Sequence, residues 1–186
     1  MNSVPPVIDT ADLRSGPEIN VALLSALALV GDWAGHGTGL TPDKTTDAGE
    51  LSGGEEFRYA QRVSFVHDGR PFLAYTSRSW LLNPDGSVQR PAFRENGFLR
   101  VGPGPDDLEL VLASAAGIVE VFHGIAGDQR WELATVALGF TPTAKQMAGE
   151  RRLYAVSGQT LTYVQELAVQ PGEYRPHLAA RLSRDG

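Results

Sequence analysis

Gly31-Asp32-Trp33-Ala34-Gly35-His36-Gly37 is the stretch on which the reading of this chain turns, a G-x-W-x-G-x-G pattern at the head of the first strand-like run. Side chains of an extended segment alternate between two faces, so Gly31, Trp33, Gly35 and Gly37 share one of them. Three glycines leave that face bare, which calls either for a group that approaches the backbone closely or for an ordinary bulge or bend. Trp33, alone among them, has the bulk to plug one end of a barrel. Immediately upstream, residues 18–30 are rich in Ala and Leu, which predicts a short helix. Gly31 ends it as a C-terminal glycine does, and the helix is placed to cap an open barrel end.

Downstream the pattern is β almost throughout. Phe57, Tyr59, Val63 and Phe65 fall on one face with Arg58 and Arg62 on the other, and Leu108, Leu110 and Leu112 alternate with Glu109 and Val111. Further strand-like runs cover 72–82, 96–101, 117–125, 129–138, 150–156, 160–168 and 177–184. Asp68-Gly69, Asp85-Gly86, Gly127-Asp128 and Ser157-Gly158 supply the turns between them. About ten strands at short spacing make an antiparallel meander. Closing it removes the exposed edges, so the expected fold is all-β: a ten-stranded antiparallel up-and-down β-barrel with a short N-terminal capping helix. A sandwich or jelly roll is the structural alternative. Pro5-Pro6 and Gly16-Pro17 punctuate residues 1–17, read as a flexible lead-in to one domain over 18–186. The polar, glycine-rich residues 41–54 read as a mobile loop near a barrel mouth.

The composition narrows the function. The 186 residues carry a formal charge of −6 and no cysteine. Basic residues are scattered singly apart from Arg151-Arg152, with no basic stripe interleaved with aromatics, so a nucleic-acid partner is not expected. Without cysteine there are no disulfides, thiolate metal sites or cysteine catalysis, and a reducing, cytoplasmic location is the default expectation. No segment has the length to span a bilayer, and the N-terminus lacks the basic region of a signal peptide.

Reactive constellations are few. There is no G-x-S-x-G elbow, and every Asp and Glu fits a surface or turn role. His36, His67, His123 and His177 are too dispersed for a zinc motif. His177 lies in Arg175-Pro176-His177-Leu178-Ala179-Ala180-Arg181-Leu182, where Pro176 begins the last strand. Alternation groups His177 with Ala179 and Arg181, opposite Leu178, Ala180 and Leu182. If the latter face inward, His177 points out unless it precedes the strand proper or sits at a bulge, so periodicity does not make it an internal ligand.

The chain resembles the nitrobindin family. The resemblance is carried by Gly31-x-Trp33-x-Gly35-x-Gly37, Arg70-Pro71-Phe72-Leu73-Ala74-Tyr75, Glu95-Asn96-Gly97-Phe98-Leu99-Arg100, Gly117-Ile118-Val119-Glu120, Thr143-Ala144-Lys145, Leu161-Thr162-Tyr163 and His177-Leu178. These span residues 31–184 in order. The resemblance implies a barrel akin to the fatty-acid-binding proteins that holds haem b, with His177 as the iron ligand and Lys145 as a partner for a haem propionate. It further implies conversion of peroxynitrite to nitrate at ferric haem, nitric oxide binding by the ferrous form, and often a homodimer. Many family members carry Met-His where this chain has Ala92-Phe93, and a Met where it has Leu167. Phe93 and Leu167 thus imply a cavity that lacks a second histidine and has a more apolar wall. The runner-up reading is a non-enzymatic carrier of a small hydrophobic ligand in the same cavity, and a third is a filled barrel that binds another protein.

Overall fold

The computed structural model describes residues 9–42, 44–45, 51–52 and 54–185. Ten strands close into one antiparallel barrel: β1 (Gly31–Leu40), β4 (Glu56–Val66), β5 (Phe72–Leu82), β6 (Val88–Val101), β7 (Asp107–Ser114), β8 (Ile118–Gly127), β9 (Arg130–Phe140), β10 (Gly149–Ser157), β11 (Thr160–Ala168) and β12 (Tyr174–Arg184). Consecutive strands pair as hairpins from β4 to β12. The first strand closes the ring by pairing with β4 on one side and β12 on the other. Two dipeptide strands, β2 (Lys44–Thr45) and β3 (Leu51–Ser52), form a small separate ribbon within the 41–54 loop. Residues 43, 46–50 and 53 of that loop, like residues 1–8 of the lead-in, lie outside the described residues.

The inward face of each strand follows the alternation of its sequence. Leu108, Leu110 and Leu112 are buried on β7, and Tyr59, Val63 and Phe65 on β4. Gln61 shares that inner face of β4 and is buried with them, a polar residue that alternation alone does not single out. β6 begins at Val88, eight residues before the predicted strand. Pro91 hides the extension because it gives no N–H to a ladder; the strand tolerates it where the β5–β6 register slips between Arg78 and Trp80.

One barrel end is closed by a helix of nine residues, Val21–Leu29, shorter than the predicted 18–30 and of 3-10 rather than α type. Its buried residues are Leu23, Ala26 and Leu29, spaced at three, which is the period of a 3-10 helix. Asn20 caps its N-terminus, its side chain accepting from the Ala22 N–H at 3.0 Å. At the other end Arg184, the last residue of β12, donates to the Ala28 carbonyl at 3.1 Å and to the Val30 carbonyl, placing a cation where the helix carbonyls need one. Trp33 is sealed beneath the helix: its indole N–H donates to the Leu29 carbonyl at 2.9 Å, and Arg184 stacks 4.1 Å from its ring. Trp131 adds a second indole, donating to the Ser25 carbonyl at 2.7 Å. Nearby, Thr10 bridges to His67, so the described part of the lead-in is tied to the barrel at that point.

The bare face of β1 is filled by the protein itself. A side chain at Gly35 would strike the backbone of β12 at Arg181 and Leu182, and one at Gly37 would strike the Tyr59 ring. Gly31 has φ +153°, and a Cβ there would meet the Arg184 guanidinium. The glycines therefore let strands and aromatic rings pack tightly.

Candidate functional site

Away from the helix, the strands open around a cavity of about 690 Å³, within the range of sites that hold a small molecule or cofactor. Its rim and floor differ in chemistry.

At the rim lie His177, Phe93, Leu167 and Lys145, together with Thr41 and Pro42 from the base of the 41–54 loop. The structure brings together all four residues singled out for a cofactor, whereas Gly31, Trp33, Gly35 and Gly37 are not among the residues lining the cavity. Ala92 and Ile118 continue the apolar wall. Lys145 is exposed, on the loop between β9 and β10.

The orientation of His177 is settled by a bulge. Strand β12 begins at Tyr174, two residues before Pro176. Gln165 of β11 pairs with Leu178 and Glu166 pairs with Pro176, leaving His177 as the extra residue of a β-bulge. The imidazole and Leu178 both line the cavity although they are consecutive, which strict alternation forbids. Its Nδ1 sits 2.7 Å from the Leu40 carbonyl. A carbonyl only accepts, so Nδ1 carries the proton and Nε2 of the neutral ring keeps a free lone pair. Burial pushes the His177 pKa down, against the pull of the Leu40 hydrogen bond, and the charge of Arg152 adds to the depression. The ring is therefore neutral at physiological pH. Phe93 meets it edge-on with centroids 6.1 Å apart.

The floor is polar and almost sealed. Arg152 on β10 is 3% exposed. Its Nη1 and Nη2 donate to the two carboxylate oxygens of Glu95 at 2.9 and 2.7 Å, and its Nε donates to Glu150. Tyr75 adds a hydroxyl to Glu95 at 2.9 Å. A third carboxyl, Glu120 on β8, is buried alongside, held by the Thr135 hydroxyl at 3.2 Å. Burial would raise the Glu95 pKa, yet the charge and hydrogen bonds of Arg152 hold it below its ordinary value. For Glu150 burial wins against Arg152 and the pKa is pushed up to about 8; Glu120 is also raised, chiefly by burial.

Between rim and floor runs a hydrogen-bonded chain. Tyr163 donates to Gln61 Oε1 at 2.7 Å, which obliges Tyr59 to donate to Tyr163, also at 2.7 Å. Gln61 in turn donates to Ser77 at 2.9 Å.

The buried carboxyls overturn the reading of every Asp and Glu as a surface or turn residue. Glu95 and Glu120 stand in stretches already notable in the sequence, whereas Glu150 and Arg152 stand only in the strand-like run 150–156. The available signal is parity: Glu150, Arg152, Tyr154 and Val156 alternate with Arg151, Leu153, Ala155 and Ser157. Both sets mix polar and apolar residues, so parity does not say which faces inward. Among the described residues no group of three or more His, Cys, Asp and Glu side chains is arranged to hold a metal ion. His36, His67 and His123 are not among the residues lining this cavity.

Residues 22–184 match the model of the THAP4-like, heme-binding beta-barrel domain. The chain belongs to this family. It is 42% identical over 184 residues to a protein of Mycobacteroides abscessus named peroxynitrite isomerase, covering 95% of this chain and 84% of the relative. It is 44% identical over 186 residues to a ferric nitrobindin-like protein of Saccharopolyspora erythraea, covering 98% and 82%. Among solved structures, that of Rv2717c from M. tuberculosis superposes with a TM-score of 0.74 at 33% identity, over 91% of this chain and all of that one. The resemblance drawn from the scattered motifs and the closed barrel thus agree with this membership.

Proposed function

We propose that this barrel binds haem b in the cavity through His177, converts peroxynitrite to nitrate with the ferric cofactor, and binds nitric oxide when the iron is ferrous. The observation that carries the reading is the hydrogen bond from His177 Nδ1 to the Leu40 carbonyl. It fixes the tautomer, keeps Nε2 available as a donor atom, and orients the ring as outer partners of metal-bound histidines do. The residues present fit the group: a neutral imidazole, an apolar rim, a cavity of about 690 Å³ and an exposed lysine at the mouth. When bound, haem supplies an iron centre that activates the small ligand. The chain supplies the rest. His177 holds the iron, Leu40 holds His177, Phe93 and Leu167 restrict water, and Lys145 neutralises a propionate.

The carrier reading loses support on the floor. A fatty-acid carboxylate would seek Arg152, but Glu95 and Glu150 already occupy both Nη groups and Nε. Adding another carboxylate there brings like charges together in a desolvated space. By the same resemblance we take residues 18–186 as one domain and expect self-association, and on the lack of cysteine we place it in the cytoplasm. No helix among the described residues is long and apolar enough to cross a membrane.

Titration of the apoprotein with ferric haem tests the reading. A saturable Soret band is expected for the wild type, and its loss or displacement in His177→Ala, restored by added imidazole. No saturable band in the wild type overturns haem binding; the same band in both proteins removes His177 as the ligand. Fatty-acid displacement of a fluorescent probe, unaffected by haem, would restore the carrier reading.

A further inference from the structure

Three carboxyl groups face one guanidinium on the cavity floor. Glu95, Glu120, Glu150 and Arg152 come from β6, β8 and β10 and line a single space. Arg152 spends both Nη groups on Glu95, which makes that pair neutral, and gives only Nε to Glu150. Glu120 receives no guanidinium N–H among these bonds. Two carboxyls are left in excess in a region where Glu120 is 3% and Glu150 4% exposed, and two uncompensated buried negative charges are prohibitively costly.

The hydrogen bonds around Thr135 show where a proton relieves this. Its hydroxyl oxygen accepts from the Glu150 N–H at 3.0 Å and lies 3.1 Å from the Glu150 carbonyl and 3.2 Å from Glu120 Oε2. The hydroxyl has one proton to give. It cannot serve the carbonyl and Glu120 together, and where it goes to the carbonyl a protonated Glu120 completes the set by donating to the hydroxyl oxygen.

We propose that Glu120 and Glu150 form a proton-holding carboxyl pair on the cavity floor, which lends a proton to a small oxyanion bound in the cavity. This rests on the haem reading above for its ligand, but not for the proton itself. In the transfer the carboxyl O–H bond breaks as an O–H bond forms on the oxyanion, and the proton returns to the pair when the weakly basic product anion leaves. No oxidant or reductant is consumed. The groups facing the pair are Glu95, Arg152, Tyr75 and Tyr154. Tyr163 stands further off, and His177, Lys145 and Arg94 line the rim. Burial raises the hydroxyl pKa values of Tyr75, Tyr154 and Tyr163, so these stay neutral, while burial pushes Glu150 up to about 8 and raises Glu120.

Infrared spectroscopy of the haem-free protein tests the store. A carboxylic-acid carbonyl stretch, which a carboxylate lacks, is expected at pH 7 in the wild type and is lost above about pH 8. In Glu150→Gln or Glu120→Gln the band shrinks or titrates at lower pH, because the remaining carboxyl has the charge of Arg152 less shared. A wild-type spectrum without the band at pH 7 overturns the proposal whether or not the variants fold, as does a band unchanged in both variants. Nitrite binding to the haem-loaded protein tests the loan. Affinity is expected to fall about tenfold per pH unit as the pair ionises, and this dependence is expected to flatten in Glu150→Gln. An identical pH dependence in both proteins overturns the loan. Failure of haem binding itself shows as an absent Soret band and leaves the infrared result standing.

Discussion

The rim and the floor belong to one cavity of the barrel but are built by opposite physical means. The rim is apolar and open, and its one imidazole is kept neutral by burial and oriented by a single backbone carbonyl. The floor is charged and sealed, with a guanidinium between carboxyls held by several hydrogen bonds. The rim has few polar contacts to lose, so a change there costs the fold little. The floor is integral to the fold, because a buried charge there has no alternative partner in solvent.

The largest test of this contrast is Arg152→Met. Removing the cation leaves Glu95 and Glu150 buried together, and we expect a loss of about 3–5 kcal/mol in urea unfolding at pH 8. The loss is expected to be smaller at pH 5, where the orphaned carboxyls take up protons. Equal losses at both pH values would mean that packing, and not charge, holds the floor.

Wild-type stability itself should depend on pH in a way set by the floor. Glu150 is pushed up to about 8 in the folded state, so between the ordinary carboxyl range and pH 8 the native protein holds a proton that the unfolded chain has released. That contribution is fully present in mild acid and is lost as pH rises through about 8. Glu95, shifted the other way, contributes stability above the ordinary carboxyl range that is lost as pH falls below it. Urea midpoints are expected to decline from pH 5 to pH 8.5 in the wild type and to decline less in Glu150→Gln. A steeper decline in the variant contradicts this assignment.

At the rim the effects on stability should be small. His177→Ala gives up one hydrogen bond, and the apoprotein is expected to lose about 1 kcal/mol while haem binding is abolished. A loss as large as that of Arg152→Met would erase the distinction between the two regions. Smallest of all, Lys145→Met is expected to weaken haem binding by only about 0.5–1 kcal/mol, a few-fold in affinity, as for an exposed ion pair. Haem titration at low and high salt measures it, and an effect insensitive to salt would argue against a propionate contact.

The different legibility of these regions in the sequence has the same origin. Trp33 beneath the helix and Leu108, Leu110 and Leu112 on β7 follow from period-two alternation, because apolar residues on one face leave a single choice of inside. The helix was visible from composition, but its 3-10 form required noticing that Leu23, Ala26 and Leu29 recur at three. The start of β6 was concealed by Pro91, whose place in the strand depends on a register slip against β5. His177 was recognisable by family resemblance, yet alternation left its direction open until the bulge opposite Gln165 and Glu166 turned it to the cavity.

Local pattern by itself determined the succession of strands, the turns, the capped end and the expectation of a closed barrel. These depend on residues a few positions apart, whose alternation and backbone preferences act before the chain is folded. Only the tertiary structure decided which charged residues lie inside. Arg152 is buried while Arg151 is not, because Glu95 and Glu150 meet it from inward positions brought together by barrel closure. Charge in a protein interior is permitted by its partners, and partners 57 residues apart become neighbours only when the strands have met.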